Sequence, residues 1–115
     1  MPGKQDSIRL QHMLEASRDV VSFIKDKNRS SLDTDKMLSL SLVRCIEIIG
    51  EAAANLSKEC HEEFPQIPWK NIVNMRNRLI HAYYDINLDT VWKTAVEDLP
   101  PLVFELEKIT KRFKS

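Results

Sequence analysis

Glycine is almost missing: Gly3 and Gly50 are the only two in 115 residues. Tight hairpin turns draw heavily on glycine for positive-φ positions, so an architecture built from β-hairpins has little material here. Cysteine is equally scarce. Cys45 and Cys60 lie fifteen positions apart, with no CxxC pair and no second metal-type cluster. They read as reduced intracellular thiols rather than a disulfide framework or a zinc site. No apolar run approaches ~18 residues, and the opening Met-Pro-Gly-Lys-Gln has no signal-peptide core. A soluble, cytoplasmic protein without a membrane partner is the expectation. Net charge is absent too, with 17 basic residues against 17 acidic ones. The field of the whole molecule therefore does not draw in nucleic acid, and any polyanion must be held by a local patch. One stretch offers such a patch: no Asp or Glu occurs from Phe64 to Tyr84, while Lys70, Arg76 and Arg78 supply positive charge.

What is present is helical material, with 43% hydrophobic and 30% charged residues, the mixture of an ordinary globular domain. Leu10, Met13, Leu14, Ser17, Val20, Val21 and Ile24 recur at helical spacing and predict a first helix over Ser7–Lys27, capped by Asp6 or Ser7. A polar connection, Lys25–Ser31, follows. A second helix is predicted from about Asp33 to Lys58, with Leu38, Val43, Ile46, Ile49, Ala53 and Leu56 as its apolar stripe. Gly50 in its middle costs about 1 kcal/mol relative to alanine and signals the close approach of another backbone. Pro65 and Pro68 punctuate a compact connection, and Pro68 suits the first turn of a third helix carrying Trp69, Ile72, Val73, Met75, Leu79 and Ile80. Asn87 or Asp89 caps a last helix whose stripe holds its register through Pro100-Pro101, implying one kinked helix. No strand-like alternation or internal repeat is evident. The expected fold class is all-α: an up-and-down bundle of four or five helices in a single domain over residues 1–115.

The unusual segment is Met75-Arg76-Asn77-Arg78-Leu79-Ile80-His81-Ala82-Tyr83-Tyr84. On a straight helix Arg76 and Tyr83 share a face, while His81 is offset from Arg76 by about 140°. For the three to converge, the helix must end or bend near His81, or a second subunit must complete the site. The set suits cleavage of RNA by its own 2′-hydroxyl. Histidine moves protons near neutral pH. Arginine offers a permanently charged fork that matches phosphate oxygens. Tyrosine stacks on bases or hydrogen-bonds phosphate. The chemistry requires no metal and no cofactor. Asn77, Arg78, Lys70 and Tyr83 are the auxiliary substrate contacts. Taken by its spacing alone, the same set also describes a packed helix end, with Arg78 a solvated charge and both tryptophans in the core.

The spacing of Arg76, His81 and Tyr83 resembles the signature of the HepT branch of the HEPN superfamily. Similar blocks flank it: Arg44-Cys-Ile-Glu47-Ile-Ile-Gly50-Glu51-Ala, Phe64-Pro-Gln-Ile-Pro-Trp69-Lys, and the stretch from His81 through Val91-Trp92 to Leu99-Pro100. The resemblance implies a homodimer whose two motifs face one cleft. It also implies a toxin, a metal-independent RNA endonuclease, paired with a minimal nucleotidyltransferase antitoxin that adenylylates Tyr83. Such a group would add bulk and negative charge two residues from His81 and repel RNA. Arg44, Glu47 and Glu51 share a face of the second helix. They form either a buried ion-pair network or, through Glu47, a support that orients Arg76 or His81. Other readings of the motif are a non-catalytic helical dimer that binds nucleotide or regulates a nucleotidyltransferase, and a bundle whose motif merely staples its interface.

Overall fold

The structure, a computed structural model, describes residues 3–82 and 85–113; the side chains of Ile80, His81, Ala82 and Phe113 are outside that description. The fold class is all-α, as the hydrophobic periodicity predicts. Helix α1 (Lys4–Phe23) buries Leu10, Met13, Leu14, Ser17 and Val20 of the predicted stripe, while Val21 is exposed and Ile24 falls just past the helix end. It begins earlier than its apolar stripe suggests, with Gly3 at the N-cap position.

Asp6 is therefore not a cap. It sits inside the first turn, buried, and reaches across the fold to Ser57. Its carboxylate accepts the Ser57 amide at 2.9 Å and the Ser57 hydroxyl at 2.6 Å. The same hydroxyl oxygen accepts the Cys60 amide at 3.1 Å, so Ser57 caps α4 (Lys58–Glu63) while being held by α1. Burial pushes the Asp6 carboxyl up. The Ser57 hydroxyl and amide, the Gly3 backbone and the Arg9 charge outweigh it and leave the group below its ordinary value. Asp6→Ala should cost about 1–3 kcal/mol by stranding a half-buried amide and hydroxyl. Because the folded pKa is depressed, this stability is full above the unfolded value and is lost as pH falls through the folded one. Thermal melts of wild type and variant should thus differ at neutral pH and converge in acid. Cys45 and Cys60 are buried free thiols; burial first, then Asp6 and Glu63, pushes the Cys60 thiol up to about 11.

The predicted second helix is two. Helix α2 (Ser31–Thr34) ends at Asp35, whose carboxylate accepts the Leu38 amide at 3.1 Å and caps α3 (Lys36–Ala54). Every member of the predicted stripe on this helix is buried, and α3 packs against α1, α2, α5, α6 and α7, which makes it the central element. Helix α5 (Trp69–Val73) crosses beside Gly50, where an added Cβ would meet the carbonyl oxygens of Ile72 at 3.5 Å and Val73 at 3.6 Å. The close backbone approach is there, but at ordinary contact distance. Gly50→Ala should accordingly raise stability by about 0.5–1 kcal/mol through helix propensity. Gly50→Leu should lower it by driving α5 off α3, and denaturant midpoints of the two variants check both signs.

Pro68 lies at the cap of α5, one residue earlier than predicted, and the third helix is broken at Asn74 into α5 and α6 (Met75–Leu79). The chain then turns extended. Strand β1 (Ile80–Ala82) pairs antiparallel with β2 (Asp85–Ile86), Ile80 opposite Ile86 and Ala82 opposite Asp85. This ribbon corrects the expectation that no strand would form. Its signal was compositional: Ile, Tyr and Ile around His81 favour extended backbone, with no glycine needed.

Asn87 caps α7 (Leu88–Lys93) by accepting the Thr90 amide at 3.1 Å, one of the two predicted caps. A π-helical turn, Thr94–Asp98, links α7 to α8 (Leu99–Phe113). The helix does run through Pro100-Pro101. The prolines follow directly on the π turn, whose wider hydrogen-bond pattern accommodates their rings and the two missing amide donors without ending the helix. Helix α1 packs on both α3 and α8, and all the buried apolar side chains form one cluster. Trp69 is in that cluster and Trp92 packs against it. No helix among the described residues is long and apolar enough to cross a membrane.

Candidate active site

Helix α6 is a single turn that ends at Leu79, and its backbone hands over directly to β1. The Asn87 amide donates to the Leu79 carbonyl at 2.7 Å, so the chain returns immediately beside the helix end. Arg76 therefore sits on the turn, and His81 stands two residues past its end in extended backbone. The required break near His81 is present, and the 140° offset of a straight helix does not apply. Tyr83 and Tyr84 lie outside the described residues.

Arg76 is gripped from α3. Its Nε donates to Glu47 Oε2 at 3.1 Å, with the arginine side chain 53% exposed and the glutamate 26%. A pair this open contributes about 0.2–1 kcal/mol to stability at most. Its main effect is to choose one orientation for a guanidinium that remains open to solvent. Arg44 and Glu51 are exposed, so no buried network joins the three within this chain. The outward arc of α3 that carries them spans about 80° and also carries Met37 and Leu40, 79% and 51% exposed.

Arg78 parts company with Arg76. It is two residues further on, roughly 200° around the turn. Its Nη2 donates to the Asn71 carbonyl on α5 at 3.1 Å. It also lines a cleft of about 450 Å³ between α5–α6 and the start of α8, whose other wall carries Glu97, Asp98 and Glu105. The acid-free stretch is thus acid-free only along the chain. Lys70 on α5 and Asn77 on α6 are exposed. Among the described residues no three His, Cys, Asp or Glu side chains come together as a metal set.

The approach to this site is clamped. Trp69 stacks on His61 with ring centroids 4.7 Å apart. Its indole N–H donates to the carbonyls of His61 at 3.1 Å and Phe64 at 3.0 Å. His61 Nε2 meets the Ala53 carbonyl at 2.8 Å, which can only accept, so that nitrogen carries the proton. Together these contacts tie the end of α3 to the start of α5. Sequence reasoning missed the clamp; the chain between His61 and Trp69 is broken by Pro65 and Pro68, so no helical period relates the two rings.

The arrangement, an open arginine held by a carboxylate beside a helix end followed by histidine, can bind a phosphate and move a proton. Comparison with known proteins agrees with that chemistry. A family model described as ribonuclease HepT-like matches residues 13–109. A Methanocaldococcus jannaschii protein named as a candidate RNase is 35% identical over 111 residues, covering 96% of each chain. A Caldanaerobacter subterraneus protein named in the same way is 34% identical, covering 91% of this chain and 94% of its own. A Thermococcus cleftensis protein named probable ribonuclease HepT is 34% identical, covering 89% of this chain and 93% of its own. No solved structure matches the chain at a significant level. With a family match over most of its length and relatives aligned nearly end to end, the chain belongs to the ribonuclease HepT-like family.

Proposed function

We propose that this protein is a metal-independent RNA endonuclease, the toxin of a toxin–antitoxin pair. In this reading it works in the cytoplasm as a homodimer of single HEPN-type domains and is silenced by adenylylation of Tyr83 by a partner nucleotidyltransferase. The observation that carries the reading is the Arg76–Glu47 grip at a helix end two residues before His81, in a chain of this family. Arg76 binds the scissile phosphate and balances charge as the 2′-oxygen attacks phosphorus. His81 takes the 2′-hydroxyl proton or delivers one to the departing 5′-oxygen, leaving a 2′,3′-cyclic phosphate and a 5′-hydroxyl. Lys70 and Asn77 add contacts along the RNA backbone, while Arg78, held by the Asn71 carbonyl on the other side of the turn, faces the acidic cleft instead. The exposed α3 arc with Met37 and Leu40 supports a subunit contact beside Arg76, which would bring two motifs to one cleft.

The test is intact mass of the protein produced with and without a neighbouring nucleotidyltransferase, followed by peptide mapping and an RNA cleavage assay on the unmodified form. Mass gained in AMP-sized steps on Tyr83, with cleavage only by unmodified protein, is the expected result. Absence of cleavage by demonstrably unmodified protein overturns the nuclease reading; absence of modification by an active partner overturns the regulatory one. Glu47 is a positioning residue in this scheme. Glu47→Gln should lower cleavage about 10- to 10²-fold by loosening the guanidinium, with the thermal midpoint nearly unchanged. Equal losses of activity and stability would sink that role.

A further inference from the structure

Helix α8 shows the solvent a face that the proposed catalytic site does not use. Phe104 stands at its middle, 61% exposed, and walls two adjoining clefts at once. On one flank lies the 450 Å³ cleft, where Glu97 and Asp98 stand with Arg78 and with Glu105, which Lys108 already pairs at 3.5 Å. On the other lies a cleft of about 470 Å³ against α1, where Arg18, paired with Glu107 at 2.6 Å, stands beside Lys108 and Lys111. The acidic cleft is lined from the π turn and the first half of α8, and the basic one from its C-terminal half. Lys108 lies over the Phe104 ring at 4.9 Å, at the boundary between them.

Lys111 in the last turn of α8 suits the helix macrodipole, but Glu97 and Asp98 lie in the π turn before α8, whose first turn holds no acid, so the dipole accounts only for the basic end. It does not account for a large aromatic left in water between two hollows. We infer that this face is an interface with a second copy of the chain, packed through α8 against α8 in antiparallel fashion. A two-fold axis near Phe104 sets the acidic half of each helix against the basic half of its mate, and one surface serves as both partners. Each Phe104 then leaves water beside the other copy's hollow, as interface anchors do. The opposed helix dipoles add to the attraction. A partner protein of uniform charge would match one cleft and be repelled by the other, so self-association is the occupant that satisfies both. The inference is independent of the nuclease reading. It uses a face other than the α3 arc beside Arg76, so the two contacts together would build an assembly larger than a dimer.

The experiment is a charge exchange on exposed positions. One variant carries Lys108→Glu and Lys111→Glu; a second carries Glu97→Lys and Asp98→Lys; circular dichroism checks that both stay folded. Masses are measured by light scattering at low salt, alone and mixed in equal amounts. The expected result is a wild-type mass twice that of either variant alone, and return to the wild-type mass only in the mixture. Phe104→Ser should give the halved mass without rescue by either variant. Identical masses for wild type and all variants, or halved masses that mixing does not restore, would overturn the proposal.

Discussion

Replacing His81 with alanine should lower RNA cleavage by about 10²–10⁴-fold, the usual worth of a positioned proton carrier. The fold should not notice. His81 lies in β1, which pairs with β2, and the Asn87 amide holds the Leu79 carbonyl at the helix end just before it. The informative measurement combines a cleavage rate with a thermal midpoint and a light-scattering mass on the same preparation. Loss of rate alone supports the proton carrier. Unchanged rate refutes it, and loss of fold or dimer assigns the imidazole to packing. Arg76→Lys sharpens the case, because it keeps the charge but removes the planar fork and the Nε donor to Glu47. It should lose rate as well, whereas a role in bulk electrostatics alone would spare it.

The largest stability effect is expected at Trp69. Trp69→Ala should cost about 3–5 kcal/mol, the range for emptying a buried aromatic site. In a domain with an ordinary stability of ~5–15 kcal/mol this is a large fraction of the total. The loss has two separable parts. The ring fills the space beside His61 within the core cluster, and the indole N–H satisfies the carbonyls of His61 and Phe64. Trp69→Phe keeps much of the volume but removes the indole donor from the His61 carbonyl, while the Phe64 carbonyl keeps the Ile67 amide at 3.2 Å, so it should cost about 1–3 kcal/mol. Urea unfolding of the three proteins separates the parts. A phenylalanine variant as weak as the alanine one would place the effect in the hydrogen bonds. Since the clamp precedes α5 and α6, cleavage by Trp69→Ala should fall even where the protein remains folded.

Much of the fold was legible in the residues. The stripes of α1 and α3, the break around the two prolines near α5, the Asn87 cap and the continuity of the last helix all follow from the 3.6-residue repeat and from local capping chemistry. Boundaries were less so. Asp35 divides the predicted second helix because its side chain caps α3, and the apolar stripe, which begins only at Leu38, gives no sign of a break there. The ribbon at Ile80–Ala82 was masked by an apolar pattern that also fits a helix, and its pairing with Asp85–Ile86 settles the competition. At the site, Arg76 and His81 could be singled out, and Glu47 could be suspected as a support. That Glu47 meets Arg76, while Arg44 and Glu51 stay in water, depends on how α6 lies across α3.

The sequence by itself determined which residues turn inward on each long helix, where the motif falls and which family the chain resembles. Those properties live in spacings of a few residues, where backbone geometry alone relates one side chain to the next. Only the tertiary structure decided that Asp6 caps nothing and instead holds Ser57 fifty-one residues away. It also decided that Arg76 and Arg78 serve different neighbours, and that the charges of α8 flank an exposed Phe104. Partners so distant along the chain are selected by how whole helices pack, and no local period records that choice.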